Sequence, residues 1–367
     1  MGEVMSVVVE EGNSEVNTLV SHEETYEENV EKNAMIGYKL SAGVDKGSLS
    51  NMLDMYSEVL SVSEKPKERV SPFTYYKGMY YRRTKIRSCS IADIKRMIKQ
   101  NDITQAHHLV IEGLNKFTYL NAFMIRCYLN YASKGTITIS TVKCRKLLKG
   151  MVSKGLLQQY EFMHKDEEGK EQGSAFIYAL SSGGLKYSIQ ANMSVTSKKG
   201  EREDVFSITK VLSMLAVNQF HILFESQYEP CGVVAMSSIY KEVYKLANVA
   251  SDYLIWLPDH SMLNMYVMAV RVVPNWSEEY LQSIRRLDAY MQSRKYKTCF
   301  LLVICETEHQ AMECERFKCC NGLARVPVFY TTDASIVTYQ DVFERLIQVE
   351  QEGNYGERTI FRLQIKP

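Results

Sequence analysis

The spacing of apolar residues predicts three consecutive helices in residues 91–131. Ile91, Ile94 and Met97 recur at helical intervals within residues 91–99, and a second periodic run covers residues 106–114. The third run, residues 119–131, is apolar at positions i, i+3, i+4, i+7 and i+8 counted from Leu120. We therefore expect three short helices that bury one face each.

A fourth helix is predicted to begin near Ser140 and to stop at Gly155, and its two sides differ in chemistry. At 100° per residue, its apolar residues fall within an arc of about 140°. These are Cys144, Leu147, Leu148, Met151 and Val152. The opposite side holds Lys143, Arg145, Lys146 and Lys149, with nothing acidic. One side is therefore expected to pack on a core and the other to meet an anionic partner.

Two predicted strands follow, residues 156–163 and 174–180, joined by a polar turn. Helices, a cationic helix and a β-hairpin together predict a winged helix-turn-helix over residues 91–193, whose cationic helix enters the major groove of DNA. The turn carries Asp166, Glu167, Glu168 and Glu171, so this wing is expected to stand off DNA or to contact a protein. A winged helix that serves only protein–protein contact is the alternative.

Residues 194–203 are polar and aperiodic, which predicts a linker. Beyond it, helices and strands alternate, which predicts an α/β sandwich over residues 204–367. The helices are expected at residues 204–216, 277–294, 308–320 and 339–349, and the strands at 220–225, 263–273, 298–305 and 326–330.

Charge is segregated along the chain, although the net charge is only +1. Residues 65–200 hold 24 Lys and Arg against nine Asp and Glu, so this part alone carries +15 and is expected to meet a polyanion. Residues 1–34 hold nine Glu and one Lys, which predicts a disordered acidic tail.

Residues 35–90 form an N-terminal extension that ends in a basic and aromatic arm. Tyrosines there alternate with Arg82, Arg83, Lys85 and Arg87. Rings that stack on bases and cations that meet phosphates would suit a nucleic-acid strand. The same pattern would equally suit a strand that packs its tyrosines on the next domain.

Composition excludes several classes of protein. Hydrophobic residues make up 46% and charged residues 24%, and no run approaches the roughly 18 apolar residues of a membrane helix. The acidic N-terminus lacks the basic region of a secretory signal, and nine cysteines, an odd number, favour reduced core thiols. We therefore expect a cytoplasmic protein, without a cofactor or a metal.

Several segments, in this order, resemble the replication-relaxation family of plasmids and integrative elements. They are Tyr178-Ala179-Leu180-Ser181-Ser182-Gly183-Gly184, Leu215-Ala216-Val217-Asn218, Pro258-Asp259 and Leu287-Asp288-Ala289-Tyr290. The likeness covers about residues 100–350. It implies a winged helix followed by a domain that resembles a PD-(D/E)xK nuclease fold.

The residues argue against nuclease chemistry in that second domain. Two acidic ligands and a nearby lysine are needed to hold Mg²⁺ and to activate water. Asp259 is the first candidate acid, but Ala269-Val270-Arg271 stands where an acid-x-Lys pair belongs. We therefore expect an inactive domain in which Asp259 is vestigial. A Mg²⁺-dependent nuclease with a rearranged site, built on Asp259 and Glu225, is the alternative.

These observations predict a sequence-specific double-stranded DNA-binding accessory or regulatory protein of a bacterial mobile element, located at the nucleoid or plasmid. A protein–protein adaptor is the third hypothesis. A homodimer and a replication or transfer protein are the further partners that this interpretation suggests. The expected DNA contacts are Lys143, Arg145, Lys146, Lys149, Lys154, Arg82, Arg83, Lys85 and Arg87.

Overall fold

The computed structural model describes residues 71–361, with gaps at 72, 84–88, 167, 194–206, 229–233, 236–250, 257–261, 295–298, 339–342, 344–345 and 353–354. The predicted acidic tail (1–34), most of the N-terminal extension (35–90) and the predicted linker (194–203) lie outside the described residues. Those predicted boundaries stay predictions.

The described chain has a mixed α and β fold and divides into two compact units. The first unit is Tyr75–Ile222, and the second combines residues 71–74 with residues 223 onward. Along the chain, the first unit therefore lies between two parts of the second.

Among the described residues, the first unit contains five complete helices and a four-stranded antiparallel sheet. The helices are α1 (Ile91–Lys99), α2 (Gln105–Phe117), α3 (Ala122–Ala132), α4 (Thr141–Ser153) and α5 (Ser182–Gln190). The strands are β1 (Tyr80–Arg83), β2 (Leu120–Asn121), β3 (Leu157–Lys165) and β4 (Glu171–Leu180), in the spatial order β1-β3-β4-β2. The hairpin β3–β4 forms its centre, and β1 and β2 pair with its two sides.

Side-chain caps explain where these helices begin. Ser90, Asn121, Ser140 and Ser181 each accept a hydrogen bond from a backbone N–H in the first turn of the helix that follows. Such a cap satisfies a donor that the helix itself leaves unpaired. The helices predicted from apolar spacing in residues 91–131 and from Ser140 are confirmed, α1 with its predicted bounds. Residues 119–121, predicted as the start of the third helix, instead precede α3 and include β2.

The Ser181–Gly184 segment closes the first unit by bringing two backbones together. Ser181 Oγ donates to the carbonyl of Gly155 at 2.5 Å and accepts from Gly184 N–H at 3.1 Å. A Cβ at Gly184 would lie 2.3 Å from the carbonyl oxygen of Leu156, closer than real atoms approach. Glycine is therefore required at this position by the close approach of α5 to the turn that follows α4.

The helix α6 (Ile208–Tyr228) crosses the division between the two units, which falls after Ile222. Within the first unit, Asn218 Nδ2 donates to the carbonyls of Phe117 and Tyr119, both at 2.9 Å. Those carbonyls flank Thr118, which has a φ of 65°. Asn218 thus secures the turn between α2 and β2.

The second unit is built on a seven-stranded mixed sheet. Its strands are β5 (Val234–Ala235), β6 (Ser251–Trp256), β7 (Met262–Ala269), β8 (Cys299–Cys305), β9 (Val328–Thr332), β10 (Leu346–Glu352) and β11 (Tyr355–Phe361). They lie side by side in sequence order, with β7, β8 and β9 parallel and the other neighbours antiparallel. The helices are α7 (Trp276–Arg294), α8 (Glu308–Cys320) and α9 (Asp333–Thr338).

Two elements predicted beyond the linker are wrong. Residues 220–225, predicted as a strand, belong to the helix α6, because a short continuous apolar run suits a buried helix as well as a strand. Residues 339–349, predicted as a closing helix, include the start of β10, which pairs with β11 as a hairpin.

No helix in the described part of the chain is long and apolar enough to cross a membrane.

We expect Gly184→Ala to destabilise the first unit by about 1–3 kcal/mol, because the added methyl group would displace a backbone carbonyl. The matched control is Gly150→Ala in α4, where a Cβ meets nothing within 4 Å. That control should gain up to about 1 kcal/mol from helix propensity. Urea unfolding of both variants measures the difference, and equal effects would contradict the packing argument.

Candidate nucleic-acid interface

The helix α4 separates an apolar face from a cationic one. Cys144, Leu148 and Met151 are fully buried. Lys143, Arg145, Lys146 and Lys149 are all exposed. Within the described part of the chain none of these four forms an ion pair, and α4 itself contains no acid. These four residues form what we call the cationic face, and it is exposed, as the spacing of the residues predicts.

Arg126 on α3 fixes the start of α4. Its side chain is buried, with Nε donating to the carbonyl of Ile139 at 3.2 Å and Nη1 donating to Thr141 Oγ1. Both acceptors lie at the entrance of α4, so a charge on one helix orients the next. Sequence reasoning missed this residue, although a single arginine inside the apolar run of α3 was a signal for it.

Lys154, the fifth predicted DNA contact of this region, forms a hydrogen bond within the protein. Its ammonium group donates to the carbonyl of Asp102 at 2.8 Å and closes the loop between α1 and α2. Beside it, His107 Nδ1 accepts from Thr104 N–H at 3.2 Å and caps α2. Burial, and then the charge of Lys154, lower the pKa of His107 below its ordinary value of 6.5.

The predicted arm is divided by the structure. Arg82 and Arg83 lie in β1, where Arg82 forms an ion pair with Glu161 on β3 and Arg83 Nε donates to Gln158 Oε1 at 2.8 Å. Tyr81 packs against Tyr160 and Phe162. Of the two interpretations of the arm, a strand that packs its tyrosines on the next domain describes Tyr81, because β1 pairs with β3 in the same sheet. Lys85 and Arg87 lie outside the described residues.

The tip of the β3–β4 hairpin is ordered by an acidic residue. Asp166 accepts from Lys170 N–H at 2.8 Å and from Gln172 Nε2 at 3.0 Å. These bonds, the one from Gln172 first, lower the pKa of Asp166. Glu168 and Glu171 are exposed beside it. The tip therefore presents negative charge, as its sequence predicts.

In the second unit, Arg271, which stands at the lysine position of the expected acid-x-Lys pair, forms a buried ion pair. Arg271, Glu306 and Asp333 follow β7, β8 and β9, the three parallel strands. Arg271 binds Asp333 through two hydrogen bonds, of 2.5 and 3.0 Å, and both side chains are at most 1% exposed. The guanidinium of Arg271 is thus paired with Asp333 in the interior of the unit.

Further contacts enclose this pair. Ser71 Oγ donates to Asp333, and Glu306 accepts from Val272 N–H at 2.7 Å. Burial raises the pKa of Glu306 above its ordinary value, while the nearby Arg271 opposes that rise. The Arg271 and Asp333 groups are therefore directed at each other, whereas Arg271 Nε is buried without a hydrogen-bond partner among the described residues.

Of the two acids of the alternative nuclease site, the structure describes Glu225 alone. Glu225 is buried within α6 rather than on a strand, and Asp259 lies outside the described residues. No group of three or more His, Cys, Asp or Glu that would hold a metal ion occurs among the residues described.

Neither a protein-family model, nor a curated protein, nor a solved structure matches the chain.

We expect Arg271→Met to destabilise the second unit by about 3–5 kcal/mol, because it leaves the Asp333 carboxylate buried without its partner. The control is Arg325→Met, which breaks a pair with Asp288 but removes a side chain that is 65% exposed. That loss should cost about 1 kcal/mol or less. Chemical unfolding compares the two, and a small effect at Arg271 would contradict a structural role.

The stability of α2 should fall as the pH drops below about 6.5, because the unfolded chain then takes up a proton that folded His107 resists. His107→Gln keeps a capping acceptor but does not titrate, so it should remove this dependence. Hydrogen exchange of residues 105–117 at pH 7.5 and 5.5 measures it. An unchanged dependence in the variant would exclude His107 as its source.

Proposed function

We propose that this protein binds double-stranded DNA sequence-specifically as an accessory or regulatory protein, with α4 as the recognition helix of a winged helix-turn-helix. The observation that carries the proposal is the cationic face. Four exposed cations, which form no ion pair with any acid that the structure describes, lie on a helix whose other face is buried. Such a face has no role in folding, and phosphates are the ligands that it suits.

The order of the elements around α4 supports the winged-helix interpretation. The helices α2 and α3 precede it, separated by the short strand β2, and the hairpin β3–β4 follows it. In the sheet, β2 pairs with β4 and β4 pairs with β3, so the hairpin β3–β4 lies beside β2. In a helix-turn-helix, the helix that precedes the recognition helix supports it at the major groove. The order α3 then α4 fits that arrangement.

The residues divide into those that meet DNA and those that position the helix. Lys143, Arg145, Lys146 and Lys149 contact phosphates and base edges. Lys154, Arg82 and Arg83 hold the fold together through Asp102, Glu161 and Gln158, so they contribute little to affinity. Arg126 acts indirectly, by fixing the angle at which α4 begins.

The second unit, in this proposal, is an inactive domain related to PD-(D/E)xK nucleases. The sequential mixed sheet, with β5, β6 and β7 antiparallel and β8 parallel to β7, supports that relation. The motif likeness to the replication-relaxation family supports a role in a bacterial mobile element. The second unit would then serve dimerisation or recruit a replication or transfer protein.

The test is binding to a labelled duplex across a salt series, with Mg²⁺ present and the DNA inspected on a gel. The full chain should bind with an affinity that falls steeply with salt, log K changing by about 0.9 per phosphate contact for each unit of log salt. The DNA should stay intact. Arg145→Ala with Lys146→Ala should weaken binding by about tenfold or more.

A charge-matched control is Lys95→Ala with Lys99→Ala, since both lysines are exposed and lie on α1, a different helix from the cationic face. This variant should bind like the unmodified protein. Equal weakening by the two double variants would mean that net charge alone attracts DNA. No binding to any duplex would overturn the proposal and favour a protein partner, and cleavage would favour a nuclease.

A further inference from the structure

The cationic face has an apolar residue at its centre. Val142 is 74% exposed, more than any other large hydrophobic residue that the structure describes. It follows the N-cap Ser140 by two positions, so it stands in the first turn of α4. Single exposed apolar residues are ordinary on protein surfaces. Val142 differs because of what surrounds it.

The surroundings follow from helical geometry. At 100° per residue, Arg145, Lys146 and Lys149 lie within about 60° of Val142, at i+3, i+4 and i+7. Valine is β-branched, which lowers its helix propensity, and at this exposure it gains little from burial. Folding therefore gives no reason for an apolar, β-branched side chain among these cations.

DNA gives a reason. The C5-methyl group of thymine is the apolar group that base edges present in the major groove, whereas the other groups there are hydrogen-bond donors and acceptors. A recognition helix contacts base edges with its N-terminal residues, and Val142 is one of these. Arg145 lies about 4.5 Å further along the helix axis, and base pairs are stacked about 3.4 Å apart, so Arg145 reaches a neighbouring base pair.

We propose that Val142 determines specificity by packing on the methyl group of a thymine, next to a guanine that Arg145 contacts. This inference rests on the proposed function, since it needs α4 in the major groove. The acidic hairpin tip agrees with it, because Glu168 and Glu171 would be repelled by the minor groove and leave sequence reading to α4.

The test begins by selecting a preferred duplex from a random library with the full-length protein. Each thymine of that duplex is then replaced by deoxyuridine, which lacks only the methyl group. One replacement should weaken binding by about fourfold, the equivalent of one buried methyl group. In Val142→Ala, which removes both Cγ methyl groups, the same replacement should have a clearly smaller effect. Alanine is the better helix former, so this variant should fold.

The matched control is Ile189→Ala on α5, which truncates another exposed apolar side chain and should keep the penalty for deoxyuridine. Val142 is excluded as the residue that contacts the thymine methyl group if no replacement weakens binding. It is also excluded if the replacement weakens binding by Val142→Ala as much as binding by the unmodified protein. In either case DNA binding, and with it the proposed function, stands. A protein that enriches no duplex at all would overturn both proposals.

Discussion

The first unit depends on a buried guanidinium at the start of α4. A charge removed from water is tolerated only where hydrogen-bond acceptors surround it. Arg126 finds these acceptors in the carbonyl of Ile139 and the hydroxyl of Thr141. These hydrogen bonds fix the start of α4 relative to α3. Because Cys144 and Leu148 are buried, the opposite side of α4 faces outward. The orientation of the four surface cations is thus a consequence of how one interior charge is satisfied.

The second unit uses arginine in the same structural way. Arg271 and Asp333 lie at the ends of β7 and β9 and neutralise each other in the interior. Together the two units show why an arginine in an apolar stretch is a poor guide to chemistry. Its identity signals charge, but its partners decide whether that charge is available to a ligand. Arg145 is available, whereas Arg126 and Arg271 are not.

The sequence was most informative where the pattern is local. The periodicity of α1 and α8 predicted both helices with their observed bounds, and the angular spacing on α4 placed its cations on the exposed side. Prediction failed where the answer depends on distant residues. A continuous apolar run at 220–225 does not reveal its period, and the residues that engage Lys154 and Arg271 lie 52 and 62 positions away. Such pairings arise from tertiary packing and have no signature in neighbouring residues.

The strand β1 affects which segment of the chain must be transferred if the first unit is to fold in another protein. It precedes the first helix in the chain, yet it covers the outer edge of β3, a strand of nine residues. A segment cut at the helical boundary would carry every helix and the complete hairpin, but β3 would present unpaired N–H and C=O groups to any other chain. A segment that is transferred to another protein must therefore begin at Tyr80 or earlier to keep this edge of β3 paired. The segment that preserves the fold is thus longer than the pattern of helices suggests.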